Sequence, residues 1–412
     1  VKRPVLILGA SPRLTTPIAR SLHRHGVEVD VATFSSIEAP ILSHAIRNFW
    51  RVPNPDIAPS DFVNKVCQLI REHRHDMLIP GNDVALTAIV EYYDSFKDLL
   101  HVACPPPAIV DRVLNKHLTL ETARQCGVRI PRSFVVSNSR DLSEAARSLG
   151  FPIVLKPSEK RRTDEFKTCV IGSATNLGKF FPEPREFIPP MLAQEFCSGE
   201  GVGVEVLMHK GEAVAVFQHR RLKELPHGGG VAVVAVAETP DPSLDRSALA
   251  LLRALHWDGV AMVEFKVNPA DGAATLMEVN GRYWGTVSLP LLAGMDFPLY
   301  QWKLVHDEAP AVPSTYVVGT KWRWTAGCIS RYHGLLLAAR RRGPGRDMLL
   351  RDLKHFGDDF DFSTHDALFS PSDPMPAIME LWRTLKDLAV SDVKAILRAL
   401  RPVRLRGNDT AA

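Results

Sequence analysis

The sequence has 412 residues, 45% of them hydrophobic and 23% charged, and a formal net charge of +4. That is length and apolar content enough for two or three packed domains. So small a charge, with the cations scattered until the last quarter, argues against a general nucleic-acid coat and leaves a local anionic ligand open. Six cysteines (Cys67, Cys104, Cys126, Cys169, Cys197, Cys328) form no CxxC pair and no metal-ligand spacing, which reads as reduced thiols filling the core. No apolar run approaches the roughly 18 residues of a membrane span, and the opening VKRPVLILGAS runs straight into a strand, so a cytoplasmic location is expected.

In chain order, PVLILGA is a buried parallel strand, IARSLHRHG a helix closed by Gly26, and VEVDVATF a second strand, so the chain begins with a βαβ unit and a Rossmann-like layer. The α/β alternation continues through SDFVNKVCQLIREHRHD and MLIPGND to about Cys104, and the prolines at 105 to 107 mark a linker. A first domain over residues 1–105 follows. GASPRLT lacks the second and third glycines of a GxGxxG fingerprint and puts Pro12 where the helix should open. Asp30 nevertheless stands about 20 residues on, where a ribose-binding acid belongs, which keeps a nicotinamide oxidoreductase among the alternatives.

Over residues 106–305 short helices (HLTLETARQCG, DLSEAARSLG) alternate with strands (FPIVLKP, CVIG, GVEVLMHKGEAVAVFQH, VAMVEFKV, TLMEVN), an α+β pattern of antiparallel sheets covered on one side by helices. Residues 306–412 form a C-terminal extension with an Arg-rich stretch (AARRRGPGRDMLLRDLK), a polar loop and a final helical run. Three roles stay open for its basic segment, residues 340–351: shaping a pocket, pairing two subunits as a homodimer, or touching an acidic partner.

VAMVEFKVN (260 to 268) and ATLMEVNGR (274 to 282) form a hairpin whose register follows from burial. A two-residue turn at Asp271-Gly272 would mix polar and apolar side chains on both faces. With a five-residue loop, Val263, Phe265, Val267, Met277 and Val279 share one apolar face, Glu264 lies opposite Glu278, and Asn280 opposite Met262. Two carboxylates across a ladder repel unless a cation sits between them. Magnesium, a hard ion served by a few oxygens plus those of a nucleotide, suits Glu264, Glu278 and the Asn280 amide oxygen. Arg282, two positions along the same face, would meet the anion held by the metal. Taken alone, the pattern also reads as a solvated polar face with Arg282 bridging the glutamates.

Alternation in FPIVLKPSEK points Lys156 from a strand end, and Lys116 begins a helix, where a nearby phosphate would relieve its conflict with the helix dipole. SEKRRTDEF, with Lys160, Arg161 and Arg162, suits a flap closing over a triphosphate, or a plain exposed loop. HRRLKELPHGGGVAV joins His219, Arg220 and Arg221 to Gly228, Gly229 and Gly230, whose bare amides suit an anion nest or a flexible hairpin tip.

The order of these parts, from the Rossmann-like layer through Lys116, PIVLKPS, AQEFCSGEGVGVEVL and VEFKVN to LMEVNGRYWG, resembles the ATP-grasp superfamily, which includes D-alanine–D-alanine ligase, biotin carboxylase and carbamoyl-phosphate synthetase. The likeness spans roughly residues 1–305, and the paired acids ending in ExNxR are its most specific part. In flavour it is similar to bacterial carboxylate-amine ligases of the D-aspartate ligase type. The resemblance implies a Rossmann-like pre-ATP-grasp domain followed by a two-lobed ATP-grasp fold. It also implies ATP with Mg2+ or Mn2+: Lys116 and Lys156 on the phosphates, the backbone of Glu195, Phe196 and Cys197 at the adenine edge, and Glu264, Glu278 and Asn280 on the metal. Arg282 would stabilise the transferred phosphoryl group. Glu200 is the candidate for the ribose hydroxyls, although Gly201 occupies the nearest register.

The expected reaction is ATP-dependent amide or peptide bond formation through an acyl phosphate, with small amino-acid-like carboxylate and amine substrates and no nucleic acid or membrane span. Catalysis would rest on Lys156, Arg221 and Arg282. His219, Arg220, Arg221 and Gly228 to Gly230 would contact substrate carboxylate and phosphate, and His227 would assist proton transfer. The alternatives are a kinase-like or carbamoyl-phosphate-type enzyme and a nucleotide-binding module without turnover.

Overall fold

The computed structural model describes residues 2–160, 168–226, 230–340, 344–361 and 363–399. Three short buried segments and two edge strands build the first sheet: β1 (Val5–Leu8), β2 (Val29–Thr33), β3 (Asn48–Arg51), β4 (Met77–Pro80) and β5 (His101–Val102), all parallel in the order β3-β2-β1-β4-β5. Every residue of β1, β2 and β4 is buried, as expected for a parallel sheet covered on both faces. Pro12 does not obstruct the helix after β1; it opens it as the first residue of Pro12–Arg24, where a fixed φ is an advantage and the missing N–H costs nothing.

Asp30 corrects the nicotinamide alternative. Its side chain is fully buried and takes hydrogen bonds from Arg47 Nε (2.9 Å) and Asn48 (3.1 Å), with His75 Nε2 at 2.9 Å. Burial alone would raise its pKa, but His75 and Arg47 outweigh that and bring it to about 2. It is a structural anion under the sheet, with no oxygen presented to a ribose.

A second, antiparallel sheet comprises β6 (Ser133–Asn138), β7 (Ile153–Pro157), β8 (Cys169–Ile171) and β9 (Glu186–Glu195) in the order β6-β9-β7-β8. The third has seven strands: β10 (Glu200–His209), β11 (Glu212–Leu225), β12 (Val231–Ala237), β13 (Gly259–Val267), β14 (Ala274–Asn280), β15 (Lys321–Arg323) and β16 (Thr364–Asp366), ordered β14-β13-β10-β11-β12-β15-β16. The stretch expected as a separate extension thus completes this sheet, β15 pairing with β12 and β16 running parallel to β15.

One face of the large sheet is apolar. Val202, Val204, Val206, Val263, Phe265 and Val279 pack there against Leu244, Ala248, Leu251 and Leu252, which recur at helical spacing along Pro242–Ala254. The other face brings Glu264, Glu278 and His219 to a cavity, while Leu207, Phe217 and Met262 pack from it into a second core. Of the cysteines, Cys67, Cys104 and Cys328 are buried, whereas Cys126, Cys169 and Cys197 are only partly so, and all six are free thiols. Among the described residues no helix is long and apolar enough to cross a membrane.

Candidate active site

The β13–β14 hairpin has the expected register at its functional end: Met262 pairs with Asn280, Val263 with Val279 and Glu264 with Glu278. A bulge then intervenes, so Phe265 pairs with Leu276. The expected core position of Met277 is therefore corrected. Leu276 is fully buried in its place, and Met277, the extra residue, joins the wall of a cavity.

That cavity, about 610 Å³, lies between all three sheets. Its walls include Asp83 from the first sheet's side, Lys156 and Glu195 to Cys197 from the second, and Glu264, Glu278 and Asn280 from the third. The volume falls in the range of small-molecule and cofactor sites. Strand alternation selects which side chains enter. Along one row of the large sheet, Glu278, Glu264, Gly203, His219 and Ala237 are successive register partners.

Two glycines make room, Gly203 in this row and Gly201 two residues before it on the same strand, paired with Lys266. A Cβ on Gly203 would sit 2.4 Å from His219 Cε1, and one on Gly201 would sit 3.0 Å from Arg221 Cδ. Bare backbone at these positions lets Arg221 reach from β11 across β10 to β13, where Nη1 donates to Glu264 Oε1 (2.8 Å) and Nη2 to Oε2. The same guanidinium donates to the Gly230 carbonyl at 3.2 Å, fixing the described edge of the glycine loop. His219 is 1% exposed, its Nδ1 bound to the fully buried Glu205, and its Nε2 has no partner among the described residues. Burial drives the Glu205 carboxyl upward, against the pull of His219.

Arg220 lies between His219 and Arg221 and points to the opposite face. It pairs there with Glu238 (2.5 Å) and Glu200 (3.1 Å), and neither Arg220 nor Glu200 lines the cavity. The expected substrate contact by Arg220 and ribose contact by Glu200 are both corrected by this alternation. Arg161, Arg162, His227, Gly228 and Gly229 lie outside the described residues.

The cations converge on Glu278. Lys160 Nζ is 3.6 Å from its carboxylate and donates to Asn280 Oδ1 at 2.8 Å. Lys116, first residue of the helix Lys116–Gln125, donates to the Pro157 carbonyl (3.1 Å) beside Lys156. Burial opposes ionisation of Glu278, but Lys160, Lys116 and Lys156 together bring its pKa to about 2. Lys156 is 8% exposed; burial, only partly countered by Glu278, and the like charge of Lys116 bring its pKa down to about 8. Two ammonium groups held this close make a ready site for a polyanion.

Arg282 is bound by Asp83, with Nε–Oδ1 3.0 Å and Nη2–Oδ2 2.6 Å, and also donates to Asn280 Oδ1 (3.3 Å). Burial would raise the Asp83 carboxyl, but Arg282 and Lys160 hold it well below the ordinary range. Among the described residues no three His, Cys, Asp or Glu side chains gather into a metal cluster. The candidate ligands are two carboxylates in register and one amide oxygen, each met by a cation: Arg221 on Glu264, Lys160 on Glu278, and Lys160 with Arg282 on Asn280. That set fits a hard cation that takes its remaining oxygens from bound phosphates. Glu195, by contrast, turns its carboxylate to Arg132 (2.7 Å), and Glu195, Phe196 and Cys197 all line the cavity.

Residues 187–327 match the family described as "ATP-grasp in the biosynthetic pathway with Ter operon". Solved structures share the wider architecture. The L-amino acid ligase from Bacillus licheniformis superposes with a TM-score of 0.59 at 17% identity, over 74% of each chain. N5-carboxyaminoimidazole synthetase from Staphylococcus aureus, complexed with ADP, gives 0.61 at 13% identity over 78% of this chain and 82% of that one.

The chain has the ATP-grasp fold.

Among curated sequences, the carbamoyl phosphate synthase large chain N-terminal section of Aquifex aeolicus is 21% identical over 316 residues, 68% of this chain and 53% of that protein. The chain thus spans about half the length of this relative. Sequence reasoning missed Asp83 and Arg13, which line the cavity, and Glu205, which is buried against His219. Asp83 had one local signal, Asn82 as a helix N-cap accepting from Ala85 N at 2.7 Å, but nothing nearby in sequence points to Arg282.

Proposed function

We propose that the protein is an ATP-dependent carboxylate-amine ligase that forms an amide or peptide bond through an acyl phosphate. The observation that carries this reading is the Glu264–Glu278 pair, in register and facing Lys156 and Lys116 across one cavity. Charges about 5 Å apart repel by roughly 3 kcal/mol at an effective dielectric constant of about 20, so such a pair is kept only where cations meet it. A carboxylate is a poor electrophile until it is phosphorylated, and phosphoryl transfer needs positioning and charge neutralisation rather than a protein nucleophile. The cavity offers those two things.

In this reading Lys116 and Lys156 bind the nucleotide phosphates and the Glu195–Cys197 backbone meets the adenine. Magnesium or manganese, held by Glu264, Glu278 and Asn280, would supply charge neutralisation at the phosphates. Arg282, oriented by Asp83, faces the phosphoryl group as it passes to the substrate carboxylate, whose oxygen becomes the bridge of the acyl phosphate. The amine then attacks the carbonyl carbon, and phosphate leaves with that bridging oxygen. His219, held by Glu205, stands in the wall as an acceptor for the proton the amine sheds. The named activity of the B. licheniformis neighbour supports an amino-acid substrate class, of which D-aspartate ligase chemistry is one form.

The match to carbamoyl phosphate synthase favours a second reading, in which the reaction ends at the phosphorylated acid. Incubation with ATP, magnesium and pools of amino acids, with phosphate and ADP assayed, separates the two. Release that needs both an acid and an amine supports ligation, and release with the acid alone supports the second reading. Nucleotide binding without turnover under every combination contradicts both.

A further inference from the structure

Arg13 is a cavity-lining guanidinium that, among the described residues, has no hydrogen-bonded acceptor and no carboxylate within ion-pair distance. It is the second residue of the helix Pro12–Arg24, and its guanidinium carbon lies 3.8 Å from the centre of the Trp324 ring. Trp324 is fixed in turn by Glu380, whose Oε2 accepts the indole N–H at 2.9 Å. Both supports come from the stretch after residue 305, whose role the sequence left open. Stacking on an indole and burial against Arg282 orient the guanidinium without satisfying its donors.

Residues 284 to 286 flank the guanidinium in the cavity lining. A Cβ on Gly285 would sit 3.2 Å from Arg13 Nη1, so the glycine keeps the space beside the guanidinium clear. The neighbouring Thr286 hydroxyl (4% exposed) and Trp284 indole N–H (fully buried) also have no partner among the described residues. A guanidinium without an acceptor in a cavity wall suits a planar anion with paired oxygens, and Thr286 belongs to the same lining. Burial, with the like charge of Arg282 and against the pull of Glu380, lowers the Arg13 pKa to about 10, as expected for a cation without its counter-ion.

We propose that Arg13 is a specificity residue that receives a substrate carboxylate, with the Thr286 hydroxyl as a second donor, and that the C-terminal stretch holds it in place through Glu380 and Trp324. The inference rests on the ligase reading and narrows it. The phosphoryl end of the cavity is served by Lys116, Lys156 and Arg282. The group at Arg13 is therefore a carboxylate that is not consumed, so one substrate is an amino acid or a dicarboxylic acid.

The test uses the full chain saturated with magnesium and the non-hydrolysable analogue AMP-PNP, titrated calorimetrically with proteinogenic L-amino acids, succinate and glutarate, each matched to its carboxamide. At least one carboxylate should bind, its carboxamide about 30-fold more weakly, and Arg13→Gln should impose a similar loss while AMP-PNP affinity stays unchanged. Gly285→Ala keeps the charge, crowds the space beside it and should weaken the same ligand by about threefold to tenfold, which guards against misfolding of the first variant. No carboxylate-dependent binding to the wild type, undiminished binding to Arg13→Gln, or a loss of AMP-PNP affinity in that variant would each overturn the proposal. Carboxylate binding through Arg13 without acid-dependent ADP release would instead support this subsite and sink the ligase reading.

Discussion

Glu264 and Glu278 stand opposite one another across the β13–β14 ladder, and each is met by a cation from outside the hairpin: Arg221 by two hydrogen bonds to Glu264, Lys160 at 3.6 Å from Glu278. The acids are thus compensated by the chain's own cations. Glu278→Gln removes the charge at constant volume and leaves three cations facing an amide. Turnover is expected to fall by about 100-fold or more, with magnesium dependence shifted to higher concentration and the thermal midpoint lowered by no more than a few degrees. Steady-state kinetics against magnesium, with a melting curve alongside, checks this. Collapse of the folded state would assign the residue a purely structural role.

Lys156 predicts a pH signature. Its pKa falls from 10.5 to about 8 in the folded protein, so between those values the unfolded chain binds more protons and the free protein gains stability as pH rises. The gain is at most roughly 3 kcal/mol. A bound phosphate reverses the balance by favouring the ammonium. ATP-analogue binding should therefore take up a proton near pH 8 and weaken as pH climbs above it. Calorimetry in buffers of different ionisation enthalpy measures the uptake, and Lys156→Met should bind weakly with no such slope.

Asp83 orients Arg282 from the other side of the cavity. Its folded-state pKa is depressed, so its contribution to stability is full above its unfolded value and is lost as pH falls through the lower folded one. The stability difference between wild type and Asp83→Asn should be constant at neutral pH and shrink below about pH 4. With Arg282 released, kcat should drop by about tenfold to 100-fold while nucleotide affinity changes little.

Gly281, inside the NGR segment, is needed for packing rather than chemistry. A Cβ there would fall 2.4 Å from Cη2 of Trp257, which is 2% exposed and donates to the Val260 carbonyl at 3.1 Å. Gly281→Ala should cost about 2 kcal/mol, read from urea midpoints, because the indole has nowhere to move.

The opposed acids were legible in the sequence because one face of their hairpin must be apolar, which admits one register. The bulge that replaces Met277 by Leu276 was not, since an extra residue leaves the local pattern almost unchanged. Arg220 and Arg221 looked equivalent until strand alternation sent them to opposite faces. The parallel character of the first sheet followed from buried apolar runs, yet the burial of Asp30 inside it did not, because its partners Arg47 and His75 are remote in sequence. Arg13 and Trp324, more than 300 residues apart, meet only through the tertiary fold.

The central claim is that a substrate carboxylate is phosphorylated before an amine displaces phosphate. The most direct measurement uses an acid substrate labelled with 18O in its carboxylate, with ATP, magnesium and amine, and follows the label by mass spectrometry. Phosphate carrying one labelled oxygen, formed together with ADP, is the predicted result. Label appearing in AMP, or phosphate without label while ADP accumulates, would contradict it.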